Sequence, residues 1–348
     1  MGLIRVGIVG LGANCHLRHV PGLRACQDVE ITAVCNRRPE STQQVADQYG
    51  IPKTYDRWQD LVADPDLDAV LVGTWPYLHA PISVAALESG KHVSTEARMA
   101  RDADEAHQML AASRQHPDLV AQIVPSPFGL RVHRTLLDHL QQGYLGDLRE
   151  VVVLATSGDY ADPAAPLHWR QSADISGLNM LVMGIVHETL IRWVPDPLRV
   201  MAQTQIFTTQ RTNEQTGQLE EVGTPDTVHV LTELPDGVRG IYHLSGVIHH
   251  GPALQIRLFG TEGTLQCVCD PEDRLWGARA GDSQLAEISI APENEGGWRV
   301  EADFIDAIRG EIEIEFTNFA AGVRYMEFTE AVARSSQQKT AVGLPLDR

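Results

Sequence analysis

Short apolar runs alternate with amphipathic segments through the first third of the chain. Each run is long enough for a buried strand, and the segments between them have helical periodicity. The strands are predicted at 4–9, 31–35, 67–73, 91–94 and 119–124, and the intervening helices at 39–49, 80–89 and 103–115. Strands separated by helices of this length indicate βαβ crossovers and a parallel sheet.

The pattern changes after a helix predicted at 130–142. Six β-rich segments follow, several joined by hairpin-like turns such as Pro235-Asp236-Gly237, and two amphipathic helices come last. Hairpin turns favour an antiparallel sheet. We therefore predict an α/β protein with two domains: residues 1–122 around the parallel sheet, and residues 123–348 around a mostly antiparallel sheet.

The first strand runs directly into a glycine turn of the kind that holds a dinucleotide pyrophosphate. One glycine allows a tight turn, a second lets the backbone approach a phosphate, and a small residue stands at the third position of the fingerprint. This Rossmann fingerprint predicts cofactor-binding residues Gly10, Leu11, Gly12, Asn14 and Cys15.

The end of the second strand bears on the choice of cofactor. An NAD-preferring site usually places Asp or Glu there, whereas this chain has Asn36, Arg37 and Arg38. A planar guanidinium group fits a 2′-phosphate better than a free hydroxyl. We predict NADP in preference to NAD; the alternative is that both arginines belong to a solvated loop ahead of Pro39.

Composition narrows the class of protein. The 348 residues carry a net charge of −18, which disfavours nucleic-acid and membrane-surface partners. No apolar run reaches the roughly 18 residues of a membrane span, and the N-terminus enters the first strand without room for a signal peptide. Five cysteines indicate a reduced, cytoplasmic protein. Cys267 and Cys269 have no nearby Cys or His in sequence, so no metal site is expected.

Several motifs occur in an order typical of one family. The first half contains VGIVGLG, TWPYLH and AALESGKHVSTEA; the second contains LHWR, GIVHETLIRW, LPDGVRG, LFGTEGTL and WRVEADFIDAIRGE. With these motifs the chain resembles the glucose–fructose oxidoreductase / inositol dehydrogenase (GFO/IDH/MocA) family over nearly its full length. The resemblance implies a nicotinamide-dependent hydride-transfer enzyme acting on a small sugar or polyol. It also implies a C-terminal substrate domain whose sheet forms a homodimer or homotetramer.

The resemblance adds cofactor-binding candidates and exposes one departure. It implies that the loop after the third strand and the segment after the fourth contribute Thr74, Trp75, Pro76, His79, Glu96 and Ala97. The family's E-K-P appears here as Glu-Ala-Arg, so the lysine that reaches towards cofactor and substrate is missing. Arg98 supplies charge but cannot shuttle a proton, because guanidinium does not deprotonate in proteins.

The chain also departs from the family's second signature, G-G-x-x-x-D-x-G-x-H-x-x-D ahead of R-W. An ungapped alignment puts Val182, Val186 and Thr189 where the family has Asp, His and Asp. His187 comes one residue late, and one residue on a helix is a rotation of about 100°. A one-residue shift recovers the histidine but brings Met183 to the first carboxylate position. The usual proton-transfer set is absent in either alignment.

Three residues are candidate catalytic groups: His187, His79 and Tyr160. His187 supplies acid–base chemistry only if the helix is rotated, and the alternative is a hydrogen-bonded core histidine. His79 resembles the family's loop histidine near the nicotinamide.

Three further residues are candidates for substrate binding. Trp169 and Arg170 match the family's W-R element, where the arginine binds a carboxylate or hydroxyl or forms an ordinary ion pair. Asn179 either binds substrate hydroxyls or caps a helix.

The sequence supports an NAD(P)-dependent oxidoreductase of a sugar, polyol or related carbonyl compound. A catalytically degenerate nucleotide- or sugar-binding regulatory protein is the first alternative, because the family's lysine and carboxylates are missing. A lyase or hydrolase that uses the nicotinamide transiently is the second.

Overall fold

The computed structural model describes residues 2–269 and 271–347, which form two compact units. The first comprises Met1–Pro125 with Arg299–Met326, and the second Ser126–Trp298 with Glu327–Arg348. The chain therefore returns to its first unit late, which the contiguous division at residue 122 did not anticipate.

The first unit contains a six-stranded parallel sheet with helices in its crossovers. The strand order is β3-β2-β1-β4-β5-β6, the order of a doubly wound dinucleotide-binding fold. A π-helical turn, Cys15–His19, precedes α1, and a 3-10 turn, Pro76–Leu78, precedes α4. The elements are β1 (Ile4–Val9), α1 (Val20–Ala25), β2 (Val29–Cys35), α2 (Pro39–Tyr49), β3 (Lys53–Thr54), α3 (Trp58–Val62), β4 (Ala69–Val72), α4 (His79–Glu88), β5 (His92–Thr95), α5 (Ala103–Gln115) and β6 (Ala121–Ile123).

The second unit is built on a nine-stranded sheet of order β16-β15-β14-β13-β7-β12-β11-β8-β17. Among the described residues of this sheet, β7 and β12 are the one pair that runs parallel, and β9 pairs with β10 in a separate ribbon. Short 3-10 turns lie at Trp169–Gln171, Pro235–Gly237 and Pro292–Asn294. The elements are α6 (His133–Gln141), β7 (Leu148–Thr156), α7 (Ala173–Ser176), α8 (Met183–Leu190), β8 (Arg199–Gln205), β9 (Gln210–Thr212), β10 (Leu219–Glu221), β11 (Thr227–Glu233), β12 (Arg239–Ser245), β13 (Gln255–Gly260), β14 (Gly263–Cys269), β15 (Asp273–Arg279), β16 (Ala286–Ile288) and β17 (Val342–Gly343). Two helices lie between β16 and β17 in sequence: α9 (Val300–Ile308) belongs to the first unit, and α10 (Phe319–Gln338) begins in the first unit and ends in the second.

The predicted fold class, a Rossmann domain followed by an α/β domain with a mostly antiparallel sheet, is confirmed. The late return to the first unit has a packing cause. Phe304 and Ile305 on α9 are buried in one cluster with Ile8 of β1 and Leu23 of α1. Periodicity shows that α9 is amphipathic, but not which sheet its apolar face covers.

The parallel ladder brings several loops to one edge of the first sheet. The Gly73 N–H donates to the Val9 carbonyl over 2.8 Å, and the Glu96 N–H donates to the Val72 carbonyl over 2.9 Å. The ends of β1, β4 and β5 are thereby aligned. This carboxyl edge is where open α/β sheets bind ligands.

Candidate active site

The glycine turn after β1 combines a constrained position with an open one. Gly10 has a φ of +84°, and a Cβ there would lie 2.7 Å from the Thr74 Cγ2 atom, so only glycine fits. At Gly12 an added Cβ meets no atom within 4 Å. The backbone of Gly12 therefore faces open space, as a phosphate-binding turn requires.

Asn36, at the end of β2, holds this turn in place. Its Oδ1 accepts the Leu11 N–H at 2.7 Å, and its Nδ2 donates to the Ser41 Oγ at 3.0 Å. The amide that replaces the usual acidic residue thus links the glycine turn to the start of α2.

The turn opens into a cleft of about 500 Å³, here called the first cleft. Eight of the sequence-predicted cofactor residues line it: Gly10, Leu11, Gly12, Asn36, Arg37, Arg38, Thr74 and Trp75. The Arg37 guanidinium lies 5.5 Å from the Trp75 ring centroid, within range of a cation–π interaction.

Further side chains that sequence reasoning missed also line the first cleft, among them Ser41, Arg57, Trp58 and Tyr77. Arg57 and Trp58 follow β3. This two-residue strand is too short to give a periodic signal, so nothing local marked the segment as part of the carboxyl edge.

The remaining predicted cofactor residues do not line the first cleft. Cys15 and Pro76 are buried, and burial raises the pKa of the Cys15 thiol to about 12. Asn14, Glu96 and Ala97 are half-buried. Glu96 Oε1 accepts hydrogen bonds from Asn14 Nδ2 and His19 Nε2. Burial alone would raise the pKa of Glu96, but the hydrogen bond and charge of His19 together with the hydrogen bond from Asn14 lower that pKa.

His79 braces the loop after β4. Its Nδ1 lies 2.8 Å from the Arg98 carbonyl and its Nε2 lies 2.9 Å from the Thr74 carbonyl. The side chain is buried, and burial lowers the pKa of its imidazole. With both nitrogens facing backbone carbonyls, His79 holds the Thr74 loop in position.

The second unit contains a cleft of about 640 Å³, here called the second cleft. Of the predicted catalytic and substrate residues, Tyr160 and Arg170 line it. The Arg170 guanidinium also lies 4.4 Å from the Trp169 ring centroid. Asn179 is buried and donates to the Ser176 carbonyl at 2.7 Å, an arrangement that caps the preceding turn. Trp169 and Asn179 do not line the cleft.

His187 lies away from the second cleft. It is 1% exposed, its Nδ1 is 2.7 Å from the Tyr242 Oη, and its ring stacks on Phe328 at 3.6 Å between centroids. Val182, at the family's first carboxylate position, lines the cleft instead. The one-residue offset seen in the sequence has therefore turned the imidazole into the core.

His168 is a lining residue that sequence reasoning passed over, although it begins the motif that supplied Trp169 and Arg170. Its Nδ1 accepts the Arg170 N–H at 3.2 Å. This bond assigns the neutral ring a proton on Nε2. Burial and then the Arg170 charge lower the pKa of His168, so the neutral form prevails at pH 7.

Arg211 fixes the loop that carries Tyr160. Its Nη1 donates to the carbonyls of Asp162 and Ala165 over 2.7 and 2.9 Å, and its Nη2 donates to the Tyr160 carbonyl over 2.7 Å. The side chain is 2% exposed. One buried arginine thus shapes a wall of the second cleft, and its sequence neighbours gave no sign of that burial.

Two absences apply to the described residues. Within 2–269 and 271–347, no group of three or more His, Cys, Asp or Glu side chains is arranged to hold a metal ion. Among the same residues, no helix combines the length and apolarity needed to cross a membrane.

The six-stranded parallel sheet, its strand order and its glycine turn define a dinucleotide-binding protein of the Rossmann class. The model of an oxidoreductase family with an NAD-binding Rossmann fold matches residues 4–123, and the model of the GFO/IDH/MocA C-terminal domain matches residues 133–266. The chain belongs to the GFO/IDH/MocA family, and it is an oxidoreductase-family protein with an NAD-binding domain.

Known relatives agree with this assignment. The levoglucosan dehydrogenase of Pseudarthrobacter phenanthrenivorans is 24% identical over 355 residues, covering 90% of this chain and 89% of the relative. The trans-1,2-dihydrobenzene-1,2-diol dehydrogenase of Mus musculus is 27% identical over 247 residues, covering 70% and 67%. A levoglucosan dehydrogenase structure in complex with NADH shares the fold, with a TM-score of 0.85, 22% identity and coverage of 99% and 100%.

Two glycine variants separate folding from binding. We expect Gly10→Ala to lower the free energy of unfolding by about 1–3 kcal/mol, because its φ disfavours a side chain. We expect Gly12→Ala to change stability by less than about 0.5 kcal/mol and to weaken NADH binding about tenfold or more, since its methyl group enters the open space. Urea unfolding and NADH fluorescence titration measure the two effects. Unchanged binding in Gly12→Ala would contradict the assignment of the turn.

Proposed function

We propose that this chain is an NAD(P)-dependent dehydrogenase or reductase that acts on a small cyclic polyol, sugar or related carbonyl compound. The observation that carries the proposal is the open backbone of Gly12 at the carboxyl edge of the parallel sheet, facing the first cleft. The cofactor supplies hydride transfer when bound. The protein's own residues bind it, orient the substrate and manage one proton.

The first cleft fits a dinucleotide. Gly10 and Gly12 shape the pyrophosphate turn, Asn36 holds it, and Trp75 offers an aromatic face. The Oγ1 atom of Thr74, which lines the cleft, is buried without a hydrogen-bond partner among the described residues.

NADP is the cofactor that the charges of the first cleft favour. Arg37, Arg38 and Arg57 line it together with Ser41, whereas Asp56 is its one acidic lining residue within the described part of the chain. Arginine forks and a serine hydroxyl are suited to a phosphate dianion. We propose that Arg38 and Ser41 bind the 2′-phosphate while Arg37 packs on Trp75.

The cofactor assignment is tested by fluorescence titration with NADPH and NADH. Wild-type protein should bind NADPH more tightly. Arg38→Ala should weaken NADPH binding about tenfold, the loss of one charge-assisted hydrogen bond, and leave NADH binding nearly unchanged. Arg114→Ala, an exposed arginine on α5, is the matched control. Equal losses for both cofactors would count against a 2′-phosphate site.

We propose that Tyr160 and His168 replace the missing lysine in handling the substrate proton. Both line the second cleft, and their ring centroids are 6.3 Å apart. Neutral His168 presents Nε2–H as a donor to the reacting oxygen, because Nδ1 is committed to Arg170. The tyrosine hydroxyl can both donate and accept.

This assignment predicts a pH dependence. The pKa of His168 is lowered below 6.5, so the ring is neutral at pH 7. As the pH falls through that lowered pKa, Nδ1 gains a proton and can no longer accept the Arg170 N–H that positions the ring. Wild-type kcat should therefore fall on the acid side. His168→Gln should lower kcat about 100-fold and remove that acid limb. His139→Gln, a histidine of α6 outside the cleft, is the control; an unchanged acid limb in His168→Gln would exclude the role.

The second cleft favours a substrate with one apolar face. Phe128, Leu181, Val182 and Leu254 line it beside the polar groups. A ring that carries neighbouring hydroxyls suits such a surface, and levoglucosan and trans-1,2-dihydrobenzene-1,2-diol, the compounds in the relatives' names, are both cyclic alcohols. We propose cyclic diols and anhydrosugars as the first panel to assay.

A regulatory binding protein is the second candidate, favoured by Ala97 and Val182 at two positions where the family has proton-handling residues. The same panel discriminates between the two. Tight cofactor binding without hydride transfer to any sugar, cyclic diol or aldehyde would favour the regulatory protein, and turnover would exclude it.

We propose a homodimer or homotetramer formed through the sheet of the second unit. Leu231 lies opposite Met201 on β8 and Ile241 on β12, and these three side chains are 57%, 50% and 47% exposed. Three large apolar side chains in one cross-strand row form the kind of patch that a second copy of the chain covers.

Leu231→Arg tests this interface. The change should convert the assembly to monomers, because a buried charge without a partner opposes association. Leu219→Arg is the matched control, since Leu219 is 68% exposed on the separate β10 ribbon. Light scattering coupled to size exclusion gives the mass of each. A monomeric wild-type protein, or an unchanged Leu231→Arg assembly, would contradict the proposal.

We also propose a cytoplasmic location. All five cysteines are free thiols, which suits a reducing compartment.

A further inference from the structure

Three ionisable side chains of the first unit, Glu96, His19 and Glu301, are connected in a row by hydrogen bonds. His19 Nε2 lies 2.9 Å from Glu96 Oε1, and His19 Nδ1 lies 2.5 Å from Glu301 Oε1. The side chains of His19 and Glu301 are 0% and 4% exposed, whereas that of Glu96 keeps 15%. The chain of contacts therefore ends at Glu96, the member that reaches the surface.

The geometry fixes the charge of His19. Each of its ring nitrogens faces a carboxylate oxygen, and the two negative charges favour the imidazolium form, in which both nitrogens donate. The two oxygens that face His79 belong to uncharged backbone carbonyls and give no such stabilisation. Burial would lower the pKa of His19, but Glu301 and Glu96 together raise it to about 9. The other titratable or charged groups around the cluster keep one state through neutral pH: Cys15 as a thiol, His79 as a neutral ring and Arg98 as a cation.

The fold makes room for this arrangement. A Cβ on Gly22 of α1 would lie 2.5 Å from Glu301 Oε2, so glycine there lets the carboxylate of α9 reach the π-helical turn that carries His19. Asn14 adds a second donor to Glu96 Oε1. Glu96 Oε2 then has no hydrogen-bond partner among the described residues and is left available.

We propose that His19 and Glu301 are positioning residues that hold Glu96 ionised, with Oε2 free to accept a hydrogen bond from the nicotinamide carboxamide. The inference rests on the proposed function, because it requires a nicotinamide cofactor at the carboxyl end of β5. His19 acts as a fixed cation between two carboxylates, and Glu301 keeps it charged. The contribution of Glu96 is thus maintained by a residue 205 positions further along the sequence.

Binding of two ligands separates positioning from general damage. ADP-ribose has the pyrophosphate and adenosine portions of NADH but lacks the nicotinamide. His19→Gln should weaken NADH binding about tenfold, the loss of a charge-assisted contact, and leave ADP-ribose binding unchanged. His16→Gln, on the same π-helical turn but bonded to Tyr49, is the matched control. Equal losses for both ligands would overturn the proposal.

The pH profile supplies a second readout. NADH binding to wild-type protein should be constant from pH 6 to 8 and weaken as the pH rises through about 9, where His19 loses its proton. Glu301→Gln removes one of the two carboxylates that raise this pKa, so the decline should move to lower pH. Glu301→Gln also tests the proposal if the His19→Gln variant does not fold. An unmoved profile in Glu301→Gln refutes the role of His19, while a wild-type protein that binds neither NADH nor NADPH refutes the proposed function as well.

Discussion

The alignment of strand ends in the parallel sheet is the constraint on which the candidate cofactor site depends. Hydrogen bonds from Gly73 to Val9 and from Glu96 to Val72 hold the ends of β1, β4 and β5 at one edge. With these ends aligned, Gly10 lies so close to Thr74 that a Cβ would not fit between them. The close packing of the glycine turn on the loop after β4 therefore depends on the sheet register.

The polar groups around that edge are secured by contacts from distant parts of the chain. Asn36 holds the glycine turn, and His79 braces the following loop between two carbonyls. Glu96 is tied through His19 to Glu301 on a helix that enters the unit late in the sequence. Buried polar groups of this kind are costly unless satisfied, so each contact also restricts the conformation of its loop.

The glycine turn and the helices of the first unit were predictable from the sequence because local residue chemistry determines them. A strand followed by Gly10 and Gly12 has few structural uses, and helix α2 begins and ends at the proline and tyrosine that its pattern predicted. The missed features depend on long-range packing. Neither the burial of Arg211 against three loop carbonyls nor the meeting of His19 with Glu301, 282 positions apart, leaves a periodic signal.

The side-chain orientation of His187 shows why a residue role cannot be carried over from a family motif by residue type alone. His187 has the residue type that the family signature requires, yet a one-residue offset on α8 stacks it on Phe328 and bonds it to Tyr242. Successive residues of an α-helix point in directions about 100° apart. A signature that matches with an offset of one residue therefore keeps the helix but turns a different side chain toward the cleft. Val182 then lines the second cleft, and His168 and Tyr160, which line the same cleft, come from outside the signature.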